Sequence, residues 1–139
     1  YTVAFGGNRS EQVVEIKREW VYTKFTDRLW RAVGVKIMTG MLNSLKAGQE
    51  VRIGDAVIRD DSIVLIKHKL LSSNEQVRVL WGQTHIWSAD GSFYIGAKDD
   101  KKAYAGMSYI STPNAHVVEQ IIRVAFKKPG LVRLSQILQ

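Results

Sequence analysis

Between residues 50 and 109, apolar and polar residues alternate with a period of two, and turn-forming residues interrupt the pattern repeatedly. This period is typical of β-strands with one buried face, because successive side chains point to opposite sides of a strand. Turn signals stand at Asp60-Asp61-Ser62, at Asp90-Gly91 and across the charged segment 98–102. Short turns of this kind join antiparallel neighbours. The segment therefore predicts an antiparallel meander of about six or seven short strands.

The stretch VLWGQTHIWSADGSFYIG, residues 79–96, lies at the centre of this meander. Two rows alternate within residues 84–88, one of His85 and Trp87 and the other of Thr84, Ile86 and Ser88. Because the second row is only weakly apolar, we expect it to face outward and Trp87 to be at least partly buried. The same alternation places Val79 and Trp81 on one side of a strand, assigns Phe93 and Ile95 to the core and predicts that Tyr94 faces outward.

Residues 26–47 predict a long amphipathic helix ahead of the strands, since apolar residues recur there every three or four positions. Thr26 is the expected N-cap, and Gly48 stands where a helix C-terminus favours glycine. The apolar stripe comprises Leu29, Trp30, Val33, Ile37, Met38, Met41, Leu42 and Leu45.

A second helical pattern follows the strands. Thr112 is the expected cap, Pro113 occupies the expected first helical position, and Pro129 follows the helix. The tail 129–139 has the spacing of a short packed helix. The expected buried stripe comprises Val118, Ile121, Ile122, Ala125 and Phe126.

The N-terminal residues are less definite. They predict a short strand and a loop at Gly6-Gly7-Asn8, and residues 12–25 alternate like a strand but also admit a helix. The order of elements predicts an α+β fold rather than alternating βαβ units. We expect one domain over 1–139, with an N-terminal strand and helix extension (1–48), a meander with its closing helix (49–128) and a tail (129–139).

Four motifs resemble pleckstrin-homology-like (PH-like) domains, in particular their bacterial and GRAM-related branches. GDAVIRDDSIVLIK resembles the opening hairpin, and VRVLWGQTHIW resembles the segment in which a tryptophan enters a central strand. DGSFYIGAKDDKKAYAGMSY resembles the following hairpin, and PNAHVVEQIIRVAF resembles the capping helix. The resemblance covers residues 50–128 and implies a partial barrel closed by the C-terminal helix. A long helix such as 26–47 does not ordinarily precede these strands in the family.

The residues give no catalytic signature. The chain has no cysteine, nucleophile elbow, P-loop or dinucleotide-binding glycine motif. His68, His85 and His116 stand apart in the sequence without metal-ligand spacing. We therefore expect a protein that is not an enzyme and has no catalytic residue, cofactor or metal.

Charge is the more informative property, because a formal net charge of +7 favours anionic partners. In PH-like domains that bind phosphorylated lipid headgroups, cations cluster around the open end of the barrel, where the resemblance places Lys67, Lys69 and Arg78. The other interpretation is that lysine and arginine occupy the solvated faces of the sheet and protect its edges. The complete set of candidate anion- or partner-binding residues is Lys67, Lys69, Arg78, Lys98, Lys101, Lys102, Arg28 and Arg31.

These observations predict a non-catalytic binding or scaffolding module in the cytoplasm of a bacterial cell. An anionic lipid or a protein partner, including a second copy of the chain, would bind a basic surface, a sheet edge or a groove. A membrane attachment through a segment outside this chain is a further expectation. The alternative is a domain that binds single-stranded nucleic acid, since aromatic side chains on a sheet can stack bases.

Overall fold

A computed structural model describes residues 1–7 and 10–139, so Asn8, in the predicted loop, lies outside the described residues. The chain forms two compact units, residues 1–37 and 38–139. Each unit is described by itself below.

The first unit consists of a hairpin and a helix. Strands β1 (Thr2–Gly7) and β2 (Ser10–Glu15) pair antiparallel, and α1 covers Glu19–Leu29. The predicted loop is therefore wrong at Gly6 and Gly7, which belong to β1. The ring of Tyr1 stacks on that of Tyr22, with their centroids 4.6 Å apart. The hairpin therefore packs its aromatic side chains against α1.

The helix that begins at Glu19 is longer than the predicted one. A π-helical turn (Trp30–Gly34) follows α1 and leads into α2 (Val35–Lys46), so the helical residues run from 19 to 46. The predicted N-cap at Thr26 is wrong, because the Thr26 hydroxyl lies inside the helix and donates to the Tyr22 carbonyl at 2.9 Å. The predicted end is confirmed: Gly48 has a φ of +87°, a conformation that glycine adopts without a steric penalty.

The second unit contains a seven-stranded sheet in which every neighbouring pair is antiparallel. The α+β class and the number of strands are thereby confirmed. The strands are β3 (Val51–Ile53), β4 (Ala56–Ile58), β5 (Ser62–Lys67), β6 (Glu75–Leu80), β7 (Thr84–Ala89), β8 (Ser92–Ala97) and β9 (Asp100–Ser108).

The order of strands departs from a simple meander. Consecutive strands pair from β3 to β6 and again from β7 to β9, but β6 and β7 do not pair. Instead β9 returns to β5, with Ile66 opposite Tyr104 and Lys67 opposite Ala103. In the part of the chain described, the outer strands β3, β6 and β7 each have one partner only, so the sheet is not a closed barrel. This return places the start of β9 beside the end of β5.

Helix α3 (Ala115–Phe126) follows the sheet and leads to a 3₁₀ turn at Leu134–Leu138. The prediction that α3 begins at Pro113 with Thr112 as its cap is wrong. Asn114 precedes the helix instead and has a φ of +62°, which asparagine tolerates better than most residues. The predicted stripe is buried at Val118, Ile121, Ile122 and Ala125, but Phe126 is exposed, contrary to expectation.

The alternation of period two identifies the core of the sheet correctly. Both side chains that it assigns to the core, Phe93 and Ile95, are buried, and Val79 and Trp81 are buried as well. Trp81 lies in a 3₁₀ turn (Trp81–Gln83) rather than in a strand. Its indole N–H donates to the carbonyls of Arg59 and Asp60, both at 3.1 Å, which satisfies the polar atom of a buried ring.

The predicted orientation of β7 is wrong. Thr84 is buried. Its hydroxyl donates to the Trp81 carbonyl at 2.8 Å, so its burial leaves no polar atom of the side chain without a hydrogen-bond partner. Ile86 is half-buried, whereas His85 is exposed and Trp87 retains 36% of its surface exposed. The row that contains Trp87 therefore faces outward.

Candidate functional site

The hairpin between β5 and β6 carries the most exposed apolar side chains of the second unit. Lys67 pairs with Glu75 at its base, and residues 68–74 form the connection, hereafter the leucine loop. Leu70 and Leu71 are 97% and 101% exposed at its tip. Adjacent apolar residues left wholly in water carry an unfavourable solvation free energy that a binding partner could relieve.

The base of the leucine loop is fixed by hydrogen bonds. The His68 amide donates to the Lys102 carbonyl at 2.9 Å, which extends the pairing of β5 with β9 by one residue. The Lys69 amide donates to Asn74 Oδ1 at 3.1 Å. The His68 ring also packs on Tyr104, with centroids 4.3 Å apart. These contacts fix the two ends of the leucine loop, between which Leu70 and Leu71 lie.

Two predicted lysines lie at this base, and each is paired with a carboxylate. Lys67 Nζ is 2.9 Å from Asp100 Oδ2, and Lys69 Nζ is 2.8 Å from Glu75 Oε2. The hydrogen bond with Lys67 lowers the pKa of Asp100, and the hydrogen bond with Lys69 lowers the pKa of Glu75. The hydrogen bond with Asp100 in turn raises the pKa of Lys67. These exposed pairs shape the base but contribute little to stability.

Lys101 and Lys102 supply two further cations at this base, where the Asp100 carboxylate accepts the Lys102 amide at 3.0 Å. The prediction that both lie in a turn is wrong: β9 begins at Asp100, so both belong to the strand. They are exposed, and within residues 1–7 and 10–139 neither side chain forms an ion pair with a carboxylate. Since Lys102 bonds to His68 through the backbone, these two charges lie beside the base of the leucine loop.

The other four predicted cations lie elsewhere. Lys98 follows β8 and donates to the Gly82 carbonyl at 3.2 Å. Arg78 is paired with Asp61 at 2.7 Å and bonds Ser62, at the end of β5 remote from the leucine loop. The remaining two, Arg28 on α1 and Arg31 in the π-helical turn, belong to the first unit, where Arg31 forms an ion pair with Asp27 at 3.3 Å.

Neither a cluster of metal-ligating side chains nor a membrane-spanning helix is found in the described part of the chain. No group of three or more histidine, aspartate or glutamate side chains is placed there to hold a metal ion. No helix among those residues combines the length and the apolar character required to cross a bilayer. Sequence-family models, curated proteins and solved structures were all compared with the chain, and none of them matches it.

Sequence reasoning missed Leu70 and Leu71, although a signal was present. The pair interrupts the alternation of period two just before the polar run Ser72-Ser73-Asn74, and two adjacent leucines cannot both face the core from one strand. The two leucines directly follow Lys67 and Lys69 in the sequence. A count of charged residues does not reveal this arrangement, because it ignores the apolar residues beside the lysines.

Proposed function

We propose that this chain is a non-catalytic binding module that attaches to an anionic membrane surface through the leucine loop. The observation that carries the proposal is the full exposure of Leu70 and Leu71 at the tip of a hairpin. Four lysines lie at the base of this hairpin: Lys67, Lys69, Lys101 and Lys102. Exposed apolar residues beside cations suit a bilayer interface, where the former enter the acyl boundary and the latter meet anionic headgroups.

The size of the effect follows from the two leucines and the two unpaired lysines. Full burial of a leucine side chain is worth about 1.5–3 kcal/mol, so the pair contributes about 3–6 kcal/mol. Each cation near an anionic leaflet adds about 1 kcal/mol, which gives Lys101 and Lys102 about 2 kcal/mol together. The leucines alone bind weakly, and the lysines make the attachment specific for anionic surfaces.

The PH-like assignment belongs to the same proposal. Seven antiparallel strands followed by α3 support it, as does the position of Trp81 at the entry to β7. The pairing of β9 with β5 and the unpaired edges of the sheet must also be compatible with a PH-like partial barrel if the assignment is right. We likewise propose that the long helix is amphipathic over its C-terminal part, where Leu42 and Leu45 are buried.

Vesicle co-sedimentation tests the proposal directly. The chain should sediment with phosphatidylcholine vesicles that contain phosphatidylserine, and far less with phosphatidylcholine alone. Leu70→Ser combined with Leu71→Ser should weaken binding by about 100-fold or more, because about 3 kcal/mol is lost at least. The matched control is Val132→Ser, since Val132 is also exposed (64%) but lies outside the loop.

The charge component has its own variants. Lys101→Gln with Lys102→Gln should weaken binding to the anionic vesicles and reduce its dependence on salt. Lys36→Gln with Lys46→Gln removes the same charge from two other exposed positions and should have a smaller effect. Unchanged binding by the double leucine variant would contradict the proposal, and a salt-resistant dimer or protein complex would favour the partner-binding alternative.

A further inference from the structure

Helix α1 of the first unit carries a tryptophan among cations on its exposed side. Tyr22 and Phe25 contact rings of the β1–β2 hairpin, so they mark the packed side of the helix. Trp20, Lys24 and Arg28 recur every four residues on the other side, because one helical turn takes 3.6 residues. We call these three residues the basic helix face. All three are exposed, and Trp20 retains 60% of its surface in water.

The segment around the basic helix face is rich in positive charge. Residues 17–31 contain five lysine and arginine side chains and two acids, a net charge of +3 out of +7 for the whole chain. All five cations are exposed. A surface of this sign attracts an anionic partner, and its attraction is screened by salt.

Neither acid of the segment forms an ion pair with Lys24 or Arg28 in the described part of the chain. Asp27 is held by Arg31, whose guanidinium lies 3.3 Å from its carboxylate. Glu19 stands at the start of α1, where the helical repeat places it more than a third of a turn away from both cations. The basic helix face therefore keeps two charges that an anionic partner can meet.

The position of Trp20 beside these charges indicates the kind of partner. The Lys24 ammonium lies 5.6 Å from the centroid of the Trp20 ring. An amphipathic ring beside cations suits the membrane–water interface, where tryptophan is enriched and anionic headgroups attract lysine and arginine. A nucleic acid duplex would meet the cations through its phosphates, but it would leave the ring without an apolar partner.

We propose that the basic helix face is a second membrane-contact site, through which the first unit lies on an anionic bilayer surface with Trp20 at the interface. Helices that combine lysine, arginine and tryptophan bind in this way in the plane of the interface. Because the hairpin packs on the other side of α1, the contact requires no change within the first unit. The site shares its partner class with the proposed function but does not include the leucine loop, which belongs to the second unit.

Vesicle co-sedimentation of the full chain tests the two charges. Lys24→Gln with Arg28→Gln should weaken binding to phosphatidylserine-containing vesicles by about 30-fold, at about fivefold for each cation. The matched control, Arg52→Gln with Lys127→Gln, removes the same charge from two exposed positions of the second unit and should have a much smaller effect. Equal effects of the two pairs would mean that net charge alone matters, and would overturn the inference.

Quenching of tryptophan fluorescence tests the position of the ring. Vesicles that contain phosphatidylserine and phosphatidylcholine brominated on its acyl chains should quench part of the fluorescence of the wild-type chain. Trp20→Phe should remove much of this quenching, whereas Trp87→Phe, on β7 of the second unit, should retain it. Equal quenching in wild type and Trp20→Phe would overturn the inference. Tighter binding to a duplex oligodeoxynucleotide than to vesicles, lost with Lys24 and Arg28, would overturn it in favour of nucleic acid.

The double leucine variant separates this inference from the proposed function. In that variant the brominated vesicles should still quench Trp20 at low salt, because the basic helix face is intact. Loss of all quenching there would overturn the inference and leave the leucine loop as the membrane contact. If the leucine substitutions have no effect but those at Lys24 and Arg28 do, the proposed function fails and the inference stands. Circular dichroism should show every variant folded, since each changed side chain is exposed.

Discussion

Asp60 joins the turn before β5 to the C-terminal 3₁₀ turn, and its replacement by alanine tests how the second unit is held together. The Asp60 carboxylate accepts the Ser135 amide at 2.8 Å and the Ser135 hydroxyl at 2.7 Å. Its backbone carbonyl accepts the Leu134 amide at 2.8 Å and the indole N–H of Trp81. Asp60→Ala removes the two carboxylate bonds and leaves the backbone bonds in place.

The expected loss of stability follows from these two bonds. A hydrogen bond to a charged group contributes about 1.5–3 kcal/mol net, and a half-buried carboxylate falls at the lower end. Ser135 is buried, so its amide and hydroxyl lose partners that water replaces poorly. We therefore expect Asp60→Ala to reduce the free energy of unfolding by about 2–4 kcal/mol, and Asp60→Asn by about half, because one acceptor oxygen remains.

Urea denaturation followed by circular dichroism and tryptophan fluorescence measures the change, with an unchanged m-value as the check on two-state unfolding. Asp99→Ala is the matched control, since Asp99 is an exposed acid in the turn between β8 and β9 and should alter stability by less than about 0.5 kcal/mol. A double-mutant cycle with Ser135→Ala should give a coupling of at least about 0.5 kcal/mol. If Asp60→Ala matches the control, or the cycle is additive, the reasoning fails.

Two further predictions concern the core and the dependence of stability on pH. Phe93 is fully buried, so Phe93→Ala should cost about 3–5 kcal/mol in urea denaturation, against less than about 1 kcal/mol for Val132→Ala at an exposed site. The pKa values of Asp61, Glu75 and Asp100 are lowered in the folded state, by hydrogen bonds from Ser62, Lys69 and Lys67 respectively. Their stabilisation is therefore complete above the unfolded-state pKa of about 4 and is lost as the pH falls through the folded-state values. Thermal unfolding from neutral pH downward should show this decline, and Lys67→Met should make it shallower; a stability that is flat or rises below pH of about 4 would contradict the assignment.

The strands of the sheet could be predicted from the sequence because the alternation of apolar and polar residues within a strand depends only on neighbouring residues of the chain. The alternation through Val79, Phe93 and Ile95 reports which side chains are buried, whichever strands become neighbours. The turn at Asp90-Gly91 is equally local, and both residues adopt positive φ there, at 50° and 72°.

Helix starts could not be predicted as well, because a cap contributes only about 1 kcal/mol and tertiary packing outweighs it. Thr26 has the chemistry of a cap, yet the helix continues back to Glu19, where Tyr22 and Phe25 meet the rings of Tyr1 and Phe5. The alternation of residues 12–25 suits a strand and a helix about equally. The structure divides the segment between β2 and α1.

The orientation of β7 required information from other strands. The mean polarity of the two rows favours Trp87 inside and Thr84 outside. A threonine can nevertheless be buried at little cost when its hydroxyl forms a hydrogen bond, as the Thr84 hydroxyl does with the Trp81 carbonyl. A tryptophan can in turn remain outside when neighbouring strands provide glycines beneath it. Gly96 and Gly106 occupy strand interiors, where glycine is unfavourable unless something approaches closely. Together with Trp87, these two glycines indicate that the aromatic side chains of β7 and β8 face outward. The sequence alone does not reveal this, because the position of each glycine relative to Trp87 depends on which residues of the neighbouring strands pair.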